Sequence, residues 1–68
     1  MLTPRQTEIV TAIALLTTRY GYPPTTRELA IETGLSESRV RQHLDALQVA
    51  GAIKREVSKA RSLRVISS

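Results

Sequence analysis

The sequence predicts a mainly α-helical domain with a small β-hairpin: three helices, then two short strands, in a single domain over residues 1–68. Three observations carry this. Apolar residues recur at helical spacing in three separate stretches. Each stretch follows a hydroxyl residue placed to cap it and ends at or near a glycine. After Gly51 the apolar period shortens from that of a helix to that of a strand.

The first helix opens at Thr3-Pro4-Arg5-Gln6. Thr3 and Gln6 have the spacing of a capping box, and Pro4 suits the first helical position. Ile9, Ile13, Leu16 and Tyr20 follow on one stripe, widened by Val10 and Ala14, and Gly21 ends it; Leu2 is an apolar anchor before it. Tyr22-Pro23-Pro24-Thr25 cannot be helical, because each proline forces the residue before it to be extended. This stiff link sets the angle between the first helix and the second.

Residues 25 to 51 organise the chain. Thr25 and Glu28 form a second capping box, and a short helix runs over 26–33 with Leu29, Ala30 and Thr33 as a narrow stripe. Gly34 breaks it, Leu35 folds back to the core, and Ser36 caps a longer helix over 37–50. Val40, Leu44 and Leu47, with Ala50 near them, face the core. Ser38, Arg41, Gln42 and Asp45 face away, with Ser36 and Glu37 at the exposed N-terminal end. Two helices joined by a tight glycine turn form a helix-turn-helix, whose second helix enters the DNA major groove. The outward face reads either as a solvated surface or as a base-reading one. Arg and Gln favour the latter, since they pair bidentately with guanine and adenine edges. Thr25 and Thr26 either only cap the short helix or also present hydroxyls and N–H groups to a phosphate.

After Gly51, residues 52–57 read as a strand anchored by Ile53 and Val57, residues 58–61 as a basic turn, and residues 62–66 as a second strand. A hairpin appended to a helix-turn-helix makes a winged helix-turn-helix. Lys59 and Arg61 lie at its tip, with Lys54, Arg55 and Arg64 on its strands. Such a wing can lay cations along a phosphate backbone.

Composition narrows the function. Residues 1–38 hold three basic and four acidic side chains, whereas residues 39–68 hold seven basic and two acidic ones. The net charge of +4 is therefore concentrated in the second half. One-sided basicity is the footprint of a polyanion binder, although a merely soluble basic protein would also show it. There is no Phe, Trp or Cys, so the core is Leu, Ile, Val and Ala, with no disulfide and no Cys-based zinc site. No apolar stretch is long enough to span a bilayer, and no signal-peptide pattern opens the chain, so the expectation is a cytoplasmic protein with no membrane association. His43 is the sole histidine and borders the buried stripe, with no nucleophile or carboxylate at triad-like positions. No Gly-rich phosphate loop or aromatic stacking platform occurs. The expectation is no enzyme, no cofactor, no metal and no single-stranded RNA binding.

The runs Leu2-Thr3-Pro4-Arg5-Gln6, Gly21-Tyr22-Pro23-Pro24-Thr25, Glu28-Leu29-Ala30, Gly34, His43-Leu44-Asp45-Ala46-Leu47 and Gly51-Ala52-Ile53 together resemble the N-terminal DNA-binding domain of LexA-type repressors. The resemblance covers nearly the whole chain, and the Leu-Thr-x-Arg-Gln opening and Gly-x-Pro-Pro-Thr link are its more specific pieces. It implies a transcriptional repressor of the SOS-response type that binds a palindromic operator in double-stranded DNA. By position it implies base readers at Ser36, Ser38, Arg39, Arg41 and Gln42. Thr25, Thr26, Arg27, Lys54, Arg55, Lys59 and Arg61 are then the expected phosphate contacts. The family's Ser-Pro-Asn at the start of the recognition helix is replaced by Ser36-Glu37-Ser38-Arg39, one residue shorter, so the operator sequence does not carry over. The family's C-terminal peptidase domain has no counterpart in these residues. The expectation is either a domain of a longer dimeric repressor or a short stand-alone regulator that dimerises on DNA. A protein-docking winged helix, on another regulator or on RNA polymerase, is the alternative; the basic wing and the lack of aromatic anchors argue against it, and Val49 hints at it.

With the faces so assigned, Arg41→Ala relaxes specificity at one base position by about 1–3 kcal/mol. Lys59→Ala weakens all sequences alike and lowers the salt slope by about one. Titrations against single-base variants at several salt concentrations check both; identical behaviour of the two variants overturns the assignment.

Overall fold

The computed structural model describes residues 2–55 and 63–66. Helices α1 (Pro4–Tyr20), α2 (Thr26–Thr33) and α3 (Glu37–Val49) are followed by strands β1 (Ile53–Lys54) and β2 (Arg64–Val65). The strands pair antiparallel, with Ile53 opposite Val65 and Lys54 opposite Arg64. The three-helix plan with a hairpin is the one the sequence predicts. Both strands are shorter over the described residues than the predicted 52–57 and 62–66. The anchor Val57, the tip residues Lys59 and Arg61, and Ser67 and Ser68 lie outside the described residues.

The helix ends follow local chemistry. The Gln6 N–H donates to Thr3 Oγ1 at 3.1 Å while the Thr3 N–H donates to Gln6 Oε1 at 3.0 Å, so two orphan donors are satisfied reciprocally. Thr25 and Glu28 repeat the arrangement at 2.8 and 3.2 Å. Ser36 Oγ accepts the Arg39 N–H at 3.1 Å, capping α3. At the other end, α3 stops one residue earlier than predicted, at Val49, and Ala50 is its cap. There the Gly51 N–H donates to the Gln48 carbonyl at 3.1 Å and the Ala52 N–H to the Leu47 carbonyl at 2.9 Å. This pair of bonds is a Schellman motif, and Gly51 supplies its left-handed residue at φ 77°. The motif turns the chain out of α3 and straight into β1.

The core lies where the three helices meet and the hairpin closes over them. Ile9, Ile13 and Leu16 of α1, Leu29 of α2, Val40, Leu44 and Leu47 of α3, and Ile53 and Leu63 of the hairpin are all at most 5% exposed. Each such side chain contributes about 1.5–3 kcal/mol by leaving water. No polar or charged side chain is buried among the described residues. Leu2, Val10, Tyr20 and Leu35 pack on the periphery, and Pro24 of the stiff link is itself fully buried. Two residues differ from expectation. Ala14 is exposed, because its position lies about 140° around the helix from Ile9. Ala50, the cap residue of α3, is exposed because its position lies about 80° around the helix from Val40, on the flank of the buried stripe. Ala12, buried at 6%, takes the place on the stripe that Ala14 does not.

The α3 terminus can be tested at Gly51. A Cβ added there meets nothing within 4 Å, so only the positive φ opposes a side chain. Gly51→Ala therefore destabilises by about 1 kcal/mol in urea unfolding. D-alanine at the same position, introduced by chemical synthesis, is expected to stabilise, because it favours this φ and narrows the unfolded ensemble.

Candidate nucleic-acid interface

With Val40, Leu44 and Leu47 buried, the rotation of α3 is settled. Ser36, Ser38, Arg39, Arg41 and Gln42 are all exposed, as is Asp45. By helical pitch Ser38 and Gln42 centre the outward face, and Arg39 and Arg41 stand on opposite flanks, about 160° apart. The fold thus brings the sequence-predicted base readers onto one exposed surface but does not set the two arginines side by side. Ser36 is partly committed, since its oxygen caps the helix. His43 sits half-buried at the border of the apolar stripe.

Arg41 is not alone. Its guanidinium lies 3.6 Å from the Glu37 carboxylate one turn earlier, with the two side chains 60% and 47% exposed. The i,i+4 spacing of Glu37 and Arg41 is the signal in the sequence that could have announced this pair. Being solvated, it holds Arg41 loosely and opens at little cost.

At the start of α2, Thr25 is occupied as the cap through both its oxygen and its N–H. The first intrahelical bond is donated by Leu29 to the Thr25 carbonyl at 3.0 Å, so the N–H groups of Thr26 and Arg27 have no acceptor within the helix. Thr26 is half-buried and Arg27 exposed. Of the two threonines, Thr26 is therefore the one whose hydroxyl is not serving as the cap.

On the hairpin, Lys54 and Arg64 are exposed and directly opposite each other. Like charges facing across a ladder repel, and a bound anion relieves that repulsion. Arg55 behaves differently. Its Nε donates to Gln48 Oε1 at 2.9 Å, and a terminal nitrogen pairs with the Asp45 carboxylate, both on α3. No local pattern announces this contact, because it depends on the turn that folds β1 back against α3. Lys59 and Arg61 lie outside the described residues.

Among the described residues, no three His, Cys, Asp or Glu side chains gather where they could hold a metal ion. No helix of the described residues is long and apolar enough to cross a membrane.

Three helices, the second and third joined by a tight glycine turn and the third running into an antiparallel hairpin, define a winged helix-turn-helix protein. Residues 1–62 match the family model described as the LexA DNA binding domain. The chain belongs to that family. It is 42% identical over 67 residues to the LexA repressor of Staphylococcus haemolyticus, a match covering 97% of this chain and 32% of that protein. It is 38% identical over 66 residues to the LexA repressor of Geobacter metallireducens, covering 96% of this chain and 33% of that one. The chain thus spans about a third of the length of these curated relatives.

Glu37 stands in the first turn of α3, where a negative charge also favours the helix dipole. Glu37→Gln is expected to lower stability by about 0.5 kcal/mol at low ionic strength. The loss should vanish near 1 M salt, where the screening length is about 3 Å. Paired urea titrations of the unaltered chain and the variant at the two salt concentrations check this.

Proposed function

We propose that this chain is the DNA-recognition part of a transcriptional repressor, binding double-stranded DNA sequence-specifically through α3. The observation that carries the reading is that α3 turns its hydrogen-bonding side chains, Ser38, Arg39, Arg41 and Gln42, to solvent while its opposite face is wholly buried. Membership of a family described by DNA binding, and relatives named as repressors, support it.

In the major groove, Arg41 offers two parallel donors to guanine O6 and N7. Gln42 offers a donor and an acceptor to adenine N7 and N6. Ser36, Ser38 and Arg39 supply further single contacts. Thr25, Thr26 and Arg27 at the head of α2, and Lys54 with Lys59 and Arg61 on the wing, hold the backbone and fix the register. The chemistry is binding, with no covalent step. A module this small contacts one half-site, and two copies on a palindrome supply the affinity that one lacks.

Val49, at 89% exposed beside exposed Ala46 and Ala50, favours a second reading in which α3 docks on protein. That patch is small and holds no aromatic anchor.

Selection of bound duplexes from a random pool at two salt concentrations separates the readings. A palindromic consensus, still discriminated at the higher salt, is the expected result. Enrichment of no sequence, with binding lost as salt rises, would leave only phosphate contact and favour the docking reading.

A further inference from the structure

The Arg55 guanidinium reaches two acceptors on α3 at once, Asp45 and Gln48, which stand three residues apart along one flank of that helix. The Arg55 side chain is only 21% exposed, against 69% for Asp45, so the arginine has left most of its water to make these contacts. That distinguishes it from the solvated Glu37–Arg41 pair on the same helix. A guanidinium has a planar fork whose donors lie in fixed directions, so two acceptors hold its plane as well as its position. A lysine, with a compact ammonium and rotatable donors, would not.

The place of Arg55 in the chain gives the contact its consequence. It follows β1 directly and is the last described residue before the wing tip. Its neighbour Lys54 is exposed and opposite Arg64, so the two adjacent cations point to different tasks. One faces solvent with a like charge beside it; the other is folded back onto α3. The arrangement also gives the exposed Asp45 on the outward face of α3 a cationic partner. Left unpaired, Asp45 would repel the phosphate backbone. Paired with Arg55, its charge is neutralised.

We propose that Arg55 is a positioning residue and not a phosphate contact: held by Asp45 and Gln48, it clamps the root of the wing to α3 and so sets the direction in which the wing meets DNA. The proposal rests on the DNA-binding reading for its consequence, but the clamp itself is testable without DNA.

The tests use the full chain and variants Asp45→Asn, Asp45→Glu and Arg55→Gln. In the free protein, the Arg55 Nε–H and terminal N–H resonances are expected to exchange slowly with solvent, the terminal ones to lose that protection in Asp45→Asn and to keep it in Asp45→Glu. Rapid exchange in the unaltered protein overturns the clamp whatever the protein binds. With the selected duplex, Asp45→Asn and Arg55→Gln are each expected to bind roughly threefold to tenfold more weakly, and the double variant no more weakly than either. Asp45→Glu retains the original affinity, and the salt slope of Arg55→Gln is unchanged. The opposite pattern overturns the proposal. If Arg55 is a phosphate contact, Asp45→Asn binds more tightly, because a negative charge is removed and the arginine released, and Arg55→Gln loses about one unit of salt slope. Slow Nε–H exchange in a protein that binds no duplex would uphold the clamp and overturn the DNA-binding reading alone.

Discussion

The seating of α3 is the constraint on which the rest depends. Val40, Leu44 and Leu47 are 0–1% exposed, and together they fix which way the helix is turned. A rotation of one residue would swing the outward face by about 100° and bury a charged group, which the aliphatic core could not accommodate without a partner. The outward face does not have to fix the helix's rotation. The apolar stripe does so from behind and leaves the outward side chains exposed.

The two ends of α3 extend this control to the neighbouring elements. Ser36 satisfies a donor at its start, and the Schellman bonds from Gly51 and Ala52 satisfy carbonyls at its end. Because Ala52 is both the last residue of that motif and the acceptor of the Ile66 N–H at 2.9 Å, the helix terminus and the hairpin are joined at one residue. Ile53 then enters the core directly opposite Val65. The hairpin is short, and an isolated one would be marginal in water. Its stability comes from Ile53 and Leu63 packing under the helices. The stiff link works similarly on the other side: Pro24 is buried, and the Tyr20 and Tyr22 rings stack at its start at 5.6 Å.

Most of the fold is legible in the sequence because its signals are local. Both capping boxes, the Ser36 cap and the glycine stops are read within a few residues of each other, and the three apolar stripes have the period of the helices they form. The misplacements are equally physical. Ala14 and Ala50 are small and apolar and stand near the apolar stripes, which places them inside, yet their angle around the helix leaves them out. The outward residues of α3 are legible too, since burial of one face exposes the other. How charges pair across the fold is not. Glu37 and Arg41 share a helix, and their spacing betrays them. Asp45 and Arg55 meet only because a turn lies between them, and no periodicity encodes that.

This matters for reading charge as function. Arg5, Arg19, Arg41 and Arg55 each lie within ion-pair distance of a carboxylate, whereas Arg27, Arg39, Lys54 and Arg64 pair with no carboxylate among the described residues. The latter four are distributed over the head of α2, one flank of α3 and the hairpin. Arg5 pairs with Glu8 within α1, and Arg19 braces α1 against α2 through Glu32 at 3.5 Å. A formal count treats all these cations as equal. The geometry divides them into those already answered by a carboxylate and those still facing solvent, and only the latter add to an anion's attraction without first giving something up. Among the described residues the unpaired basic surface is thus narrower than the composition implies, and it lies on the elements that a winged helix-turn-helix turns toward a duplex.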